Sequence, residues 1–261
     1  QMAAMLGGLD ATNSPFVAFL DADDLWAPEF LEAHVSAHLS ETAVAAVSAS
    51  NLAVIAADGT LLTGAKPNFT QTESGHRWNW TRDETHDGDV LNFIPRGIPW
   101  TWFWSATSAM VFRRDVLEIL RPSKPEQFRI CADLYLVRSA HMLGGTVRLE
   151  RTLGRYRMHG ANGYARNRLL GSNAELGRTP PEIVSAAHKE FAERLLANFD
   201  ALETTLSARY IAMLVAHAAR GSGSIELTTR PDAKAVLRHL PSKDRRKLFF
   251  RRIRTALRRR R

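Results

Sequence analysis

Short apolar runs of strand length alternate with helical-period segments along the first two thirds of the chain. Phe16 to Leu20 is apolar throughout and reads as a short buried strand. From Pro28 to about Ser40, Phe30, Leu31, Val35 and Leu39 fall on one side of a predicted helix. Ala43 to Ser48 reads as a further buried strand, and Leu52 to Ala56 and Thr60 to Thr63 flank Asp58-Gly59, a strong turn signal for a hairpin. Ser105 to Phe112 predicts a central strand, with a short helix from Asp115. In residues 131–145, Leu134, Val137 and His141 recur on one helical face until Gly144-Gly145 stops the run. Pro180-Pro181 then opens one long helix or two shorter ones to about Ala219, with Phe191, Leu195, Phe199 and Leu202 at helical spacing. Strands alternating with helices place the chain in the α/β class.

Between these elements, residues 64–100 are polar and rich in Gly, Pro and Asn, which predicts a long loop, mobile or functional. Five tryptophans lie in or just after it. Trp100, Trp102 and Trp104 alternate at strand period and read as packing residues, whereas Trp78 and Trp80 are candidates for stacking on a sugar ring or a lipid interface. Gly221-Ser222-Gly223-Ser224 opens a linker over 221–242.

The chemistry is concentrated where the first apolar run ends, at Asp21, Asp23 and Asp24. Like charges at about 5 Å cost on the order of 3 kcal/mol per pair at an effective dielectric near 20, so water or a cation must offset the repulsion. Open α/β sheets place ligands beyond the carboxyl ends of their strands, where this cluster lies. Carboxylates suit Mg²⁺ or Mn²⁺, which keeps waters and takes phosphate oxygens for the rest of its shell. The plainer alternative is a solvated acidic turn, with Asp24 near the N-cap of the next helix and Pro28 in its first turn. Further along, Asp133 lies at a helix start, where backbone N–H groups favour its ionised form and lower its basicity. Arg157 and His159 follow; a guanidinium matches phosphate oxygens in fork geometry, and a neutral imidazole can complete a Mn²⁺ shell.

Three segments together carry a family resemblance. FLDADD at 19–24 resembles the Asp-any-Asp metal-binding segment of nucleotide-sugar glycosyltransferases of the GT-A fold, particularly family 2; Asp133 matches the family's helix-opening catalytic base; GRYRMHGANG at 154–163 is similar to its Arg-any-His segment. Their order is the family's too, with Asp133 about 110 residues after the acids and His159 about 25 further on. The resemblance implies a Rossmann-like mixed sheet flanked by helices. It also implies inverting transfer of a sugar from a nucleoside diphosphate sugar to a hydroxyl on a saccharide or lipid-linked acceptor. In that reading Asp133 removes the acceptor proton; Asp21, Asp23 and His159 hold Mn²⁺ or Mg²⁺; Asp21, Asp24 and Arg157 contact the donor or support its loop. Ala132 stands where the family usually has Glu. Only about 15 residues precede the acid-bearing strand, so the first βα units of a GT-A domain are expected to be missing. The expected organisation is a partial GT-A catalytic domain at 1–178, a helical extension at 179–220, the linker at 221–242 and a basic amphipathic tail at 243–261.

Composition bounds this reading. With 261 residues and 45% hydrophobic content, the chain can bury a full core. No window approaches 18 consecutive apolar residues. Cys131 is the single cysteine, which excludes an internal disulfide and fits a reducing compartment. The last 19 residues hold eleven Lys or Arg against Asp244, a local +10, which leaves about −2 for the remainder of the formal +8. Phe249, Ile253, Ala256 and Leu257 share a helical face in that tail, the composition of a segment lying on an anionic leaflet. The expected location is cytoplasmic, peripheral at the inner face of the plasma membrane, with a cell-envelope polysaccharide or glycolipid as product. An anionic membrane is the expected surface partner, and nucleic acid is not. The rival reading is a non-catalytic membrane- or nucleic-acid-binding protein acting through its tail. Neither the sugar and base of the donor nor the acceptor is legible in the sequence.

Overall fold

The computed structural model describes residues 1–40, 44–63, 66–72, 75–81, 91–99, 102–159, 161–162, 173–175, 179–224 and 226–248, with the backbone alone at 63 and over 66–72, 75–81 and 173–175. The chain runs through α1 (Met2–Asp10), β1 (Phe16–Ala18), β2 (Leu25–Trp26), α2 (Phe30–Leu39), β3 (Val47–Ala56) and β4 (Leu61–Thr63). It continues with β5 (Lys66–Thr72), β6 (Gly75–Thr81), β7 (Leu91–Ile94), β8 (Met110–Arg113), α3 (Arg114–Ile119) and α4 (Ala132–Gly144). There follow β9 (Thr146–Met158), β10 (Asn173–Glu175), α5 (Pro181–Ala197), α6 (Phe199–Glu203), α7 (Ala208–Gly221) and α8 (Pro231–Leu237). The main sheet has the order β1-β8-β3-β9-β2, with β4 added to β3 and β7 to β9. β8 is antiparallel to both β1 and β3, while β3 and β9 run parallel. This is the mixed α/β sheet flanked by helices that the resemblance implies.

Alternation along β8 divides the core into two layers, because successive strand residues face opposite sides of a sheet. Met110 and Phe112 pack with Trp104, Tyr135, Phe191 and Val215 beneath α4, α5 and α7. Val111, on the other side, packs with Phe30, Val147, Leu149 and Leu153 under α2. Trp104 is fully buried, and its Nε1 donates to Thr146 Oγ1 at 3.0 Å. Trp102 meets it edge to face at 5.2 Å between centroids, so both are packing residues as expected, although they lie outside any strand. Trp100 and the side chains of Trp78 and Trp80 lie outside the described residues.

Four local differences from the sequence reading have physical causes. α2 presents Phe30, His34, Ala37 and His38 to the sheet, while Leu31 and Leu39 are 52% and 68% exposed. The histidines win that face because the sheet offers them partners: His34 Nδ1 meets Ser48 Oγ at 2.7 Å and His38 Nε2 meets the Val111 carbonyl at 3.1 Å. The two strands expected at Ala43 to Ser48 and Leu52 to Ala56 are one, β3, buried almost end to end. The expected loop at 64–100 contains an antiparallel hairpin, with Phe69 opposite Trp78 and Pro67 opposite Trp80, and the edge strand β7. Residues 221–242 are not a free linker: a 3-10 turn at Glu226–Thr229 and α8 bury Leu227, Ala233, Val236, Leu237 and Leu240 in the same core as α7.

Burial of His34 has a pH consequence. Its imidazole is fully buried and its pKa is lowered to about 3, chiefly by desolvation and secondarily by His38. The unfolded chain takes up this proton near 6.5 whereas the folded chain does so only near 3, so the stability His34 contributes is present above 6.5 and lost as pH falls between these values. Relative to a His34→Asn variant, wild-type unfolding free energy is expected to fall by up to about 1.4 kcal/mol per pH unit across this window. Parallel urea titrations of both proteins from pH 7.5 to 4 measure the difference; equal slopes would exclude the effect.

Candidate active site

The loop between β1 and β2 carries the three acids across the sheet, because β1 sits at one edge and β2 pairs with β9 at the other. Its path is fixed by a buried 3-10 turn at Thr107–Ala109: Asp21 N donates to Ser108 Oγ at 3.0 Å, and Trp26 Nε1 donates to the Ser108 carbonyl at 2.7 Å. At the crossing, Gly154 leaves no room for a side chain. A Cβ there would lie 2.7 Å from Leu52 Cδ2 and 2.9 Å from the Leu25 carbonyl oxygen. The acids therefore hang over the ends of the parallel strands β3 and β9, as the run of hydrophobic residues before them predicts.

β9 returns the second group of residues to the same place. His159 Nε2 meets Asp23 Oδ2 at 2.8 Å, joining positions 136 residues apart. The Arg157 N–H donates to Asp24 Oδ1 at 2.9 Å. Its guanidinium is committed to backbone: Nε donates to the Asp23 carbonyl at 2.8 Å, and Nη1 to those of Ala57 and Ala56 at 2.8 and 3.2 Å. Arg157 thus ties the acidic loop to the end of β3. Asn162 sets the turn beyond it, accepting the His159 N–H on Oδ1 at 2.9 Å and donating to the Arg157 carbonyl at 2.8 Å.

Electrostatics follow from burial. Asp24 is only 4% exposed, and its Oδ2 lacks a completed hydrogen bond. Burial pushes its pKa up to about 6, against the lowering pull of the Arg157 N–H and the nearby Ser108 hydroxyl. Asp21 is also raised, by burial and then by Asp23. Asp24 is not a helix cap, since Glu29 occupies that position on α2. Tyr156 lies in the same field: burial first, then Asp24, Asp23 and Asp21, push its phenol upward.

Asp133 stands in the first turn of α4, its Oδ1 accepting the Leu134 N–H at 2.9 Å. Burial pushes its pKa up to about 6; the Leu134 N–H pulls down and the charge of Asp21 pushes up. The helix start therefore does not make Asp133 a weaker base than a free carboxylate, because packing around it outweighs the helix N–H groups. The residue that precedes the helix, Cys131, has φ of 55°, the single positive value among described non-glycine residues. Strain of this kind is retained where surrounding structure over-determines it, and here it fixes the entry into the turn that carries Asp133. The Cys131 thiol is itself raised by burial and then by Asp133, which leaves it poorly suited to act as a nucleophile.

The site thus brings together Asp21, Asp23, Asp24, Arg157 and His159, and sets Asp133 within the field of Asp21. Thr107, Ser108, Tyr156 and Asn162 escaped the sequence reading. Asn162 alone carried a signal, an Asn three residues after His159 in a Gly-containing turn. Among the described residues no three His, Cys, Asp or Glu side chains are gathered as a self-sufficient metal site. The donor set still fits a hard cation, which needs only one or two protein carboxylates when water and phosphate oxygens complete the shell. The Asp23–His159 contact supplies one carboxylate and one imidazole side by side.

The family model for glycosyl transferase family 2 matches residues 1–55, the stretch that holds the acidic loop. An uncharacterized glycosyltransferase of Nostoc sp. is 29% identical over 164 residues, 63% of this chain. Both matches make the chain similar to glycosyl transferase family 2. The aligned stretch spans 46% of the Nostoc protein, under half its length. The acidic loop lies inside the matched segment, whereas Asp133, Arg157 and His159 lie beyond it; Arg157 and His159 are joined to it by the contacts above, and Asp133 stands within the field of Asp21.

Proposed function

We propose that this protein transfers a sugar from a nucleoside diphosphate sugar to a hydroxyl acceptor, with inversion at the anomeric carbon. The observation that carries this is the 2.8 Å contact between Asp23 and His159, with Asp133 in the field of the same acidic loop. Asp23 and His159, with Asp21 beside them, would hold Mn²⁺ or Mg²⁺; such an ion supplies charge neutralisation for the departing diphosphate. Asp133 accepts the proton of the attacking hydroxyl, and its raised pKa makes it a stronger base than an exposed carboxylate while leaving it ionised at pH 7. Asp24 and Arg157 hold the loop in place, since their contacts are to each other and to backbone.

The expected acceptors are a saccharide or lipid-linked saccharide of the cell envelope, with the basic segment 243–261 on an anionic leaflet at the cytoplasmic face. Residues 242–248 are helical and largely exposed, and 249–261 lie outside the described residues. No helix among the described residues is long and apolar enough to cross a membrane. Release of nucleoside diphosphate from UDP- and GDP-sugars in the presence of Mn²⁺ tests the reading. Turnover that Asp23→Ala removes supports it; nucleotide release equal in Asp23→Ala and wild type would refute it.

A further inference from the structure

Away from the acidic loop, a cavity of about 140 Å³ lies between α4, α5 and α7 under the loop at Pro99. Leu134, Met142, Val184 and Phe191 form apolar wall, and Arg138, His188 and His217 supply the polar side. Arg138 is half-buried, makes no hydrogen bond or ion pair among the described residues, and has its Nε shut off from solvent without an acceptor. Desolvation alone lowers its pKa, with no carboxylate opposing the shift. The rings of His188 and His217 meet edge to face at 5.2 Å, each lowered first by burial and then by neighbouring basic groups, Arg138 among them. Arg220 is the further cation acting on His217. A Cβ at Gly221 would come within 2.4 Å of His188 Cδ2, so the glycine at the end of α7 is what lets that ring occupy the cavity wall.

A guanidinium nitrogen shut off from water without an acceptor is costly, and an anion seated against it would satisfy it. Three basic side chains from three helices converge here with no acid among them. Arginine presents a fork matched to phosphate oxygens, and two imidazoles add single N–H donors. We propose that this cavity binds a phosphate group, with Arg138 as its charge partner and His188 and His217 as donors. The apolar wall accommodates the organic part of a phosphate ester. Arg138 follows Asp133 by five residues on α4, about 7.5 Å along the axis and about 140° around it, so the cavity lies on a different side of the helix from the candidate base.

Calorimetric titration of the protein with inorganic phosphate, in chloride buffer with EDTA at constant ionic strength, tests this directly. Saturable one-to-one binding with a dissociation constant of about 1 mM or tighter is expected. Arg138→Met is expected to weaken it at least about tenfold, and to raise the melting temperature in phosphate-free buffer by removing the unpaired cation, so loss of binding is not loss of fold. His217→Leu is expected to weaken binding to a smaller degree. Phenyl phosphate binding more tightly than inorganic phosphate assigns the apolar wall to an ester; equal affinities assign the free anion. Absence of saturable binding, unchanged affinity in Arg138→Met, or benzoate binding as tightly as phenyl phosphate would each overturn the proposal. So would loss of phosphate binding in Asp23→Ala, whereas its retention keeps this site independent of the proposed transferase reaction.

Discussion

Asp133→Asn is expected to lower the turnover number by about 10² to 10⁴-fold, the range for loss of a positioned general base. Donor affinity should stay within a few-fold, because Asn keeps the acceptor oxygen that receives the Leu134 N–H and the helix start is unchanged. Wild-type activity should also carry the signature of the raised carboxylate. Below about pH 6 Asp133 holds its proton in the folded protein, so the rate should fall roughly tenfold per unit as pH drops beneath that value, and level off above it. An exposed aspartate would keep the rate level down to about pH 4. Rates from pH 4.5 to 8, with the Asp133→Asn profile beside them, separate the two cases. A plateau that persists to pH 4.5 would remove Asp133 from the role of base.

The second large effect belongs to Asp23 and His159 as a pair. Asp23→Ala is expected to reduce the turnover number by about 10² to 10³-fold or more, on the scale of removing a group that stabilises developing charge. His159→Ala should approach the same loss, and the double variant should be little worse than either alone. Residues that act as one unit are non-additive, whereas independent contributions multiply. The direct 2.8 Å contact makes this the expected outcome. Arg157 differs in kind. Its donors hold the carbonyls of Asp23, Ala56 and Ala57, so its replacement should lower melting temperature along with activity.

Much of this arrangement was legible in the chain because it depends on local rules. The Asp58-Gly59 turn reads directly from a dipeptide, and Gly59 has φ of 91° as such a turn requires. α4 reads from its apolar face and its glycine stop, and Gly145 ends it at φ of 79°. The order of Asp23, Asp133 and His159 told which residues to bring together. What remained hidden depends on partners distant in sequence. Leu31 and Leu39 look like the inward side of α2 until Ser48 and the Val111 carbonyl supply His34 and His38 with hydrogen bonds. Ser108 is an ordinary hydroxyl in sequence, and only the fold places it beneath Asp21. The Gly-Ser run at 221–224 masked a helical segment whose Leu227, Val236, Leu237 and Leu240 carried an apolar signal of their own. Arg138, His188 and His217 sit on three helices and share nothing local.

Titration of the protein with Mn²⁺, followed by electron paramagnetic resonance of the free ion, bears most directly on the acidic loop. With a nucleoside diphosphate present to complete the shell, saturable binding of one Mn²⁺ is expected for the wild type, weakened at least about tenfold in both Asp23→Ala and His159→Ala. Mn²⁺ affinity unchanged in His159→Ala would contradict the convergence of these two side chains on one ion.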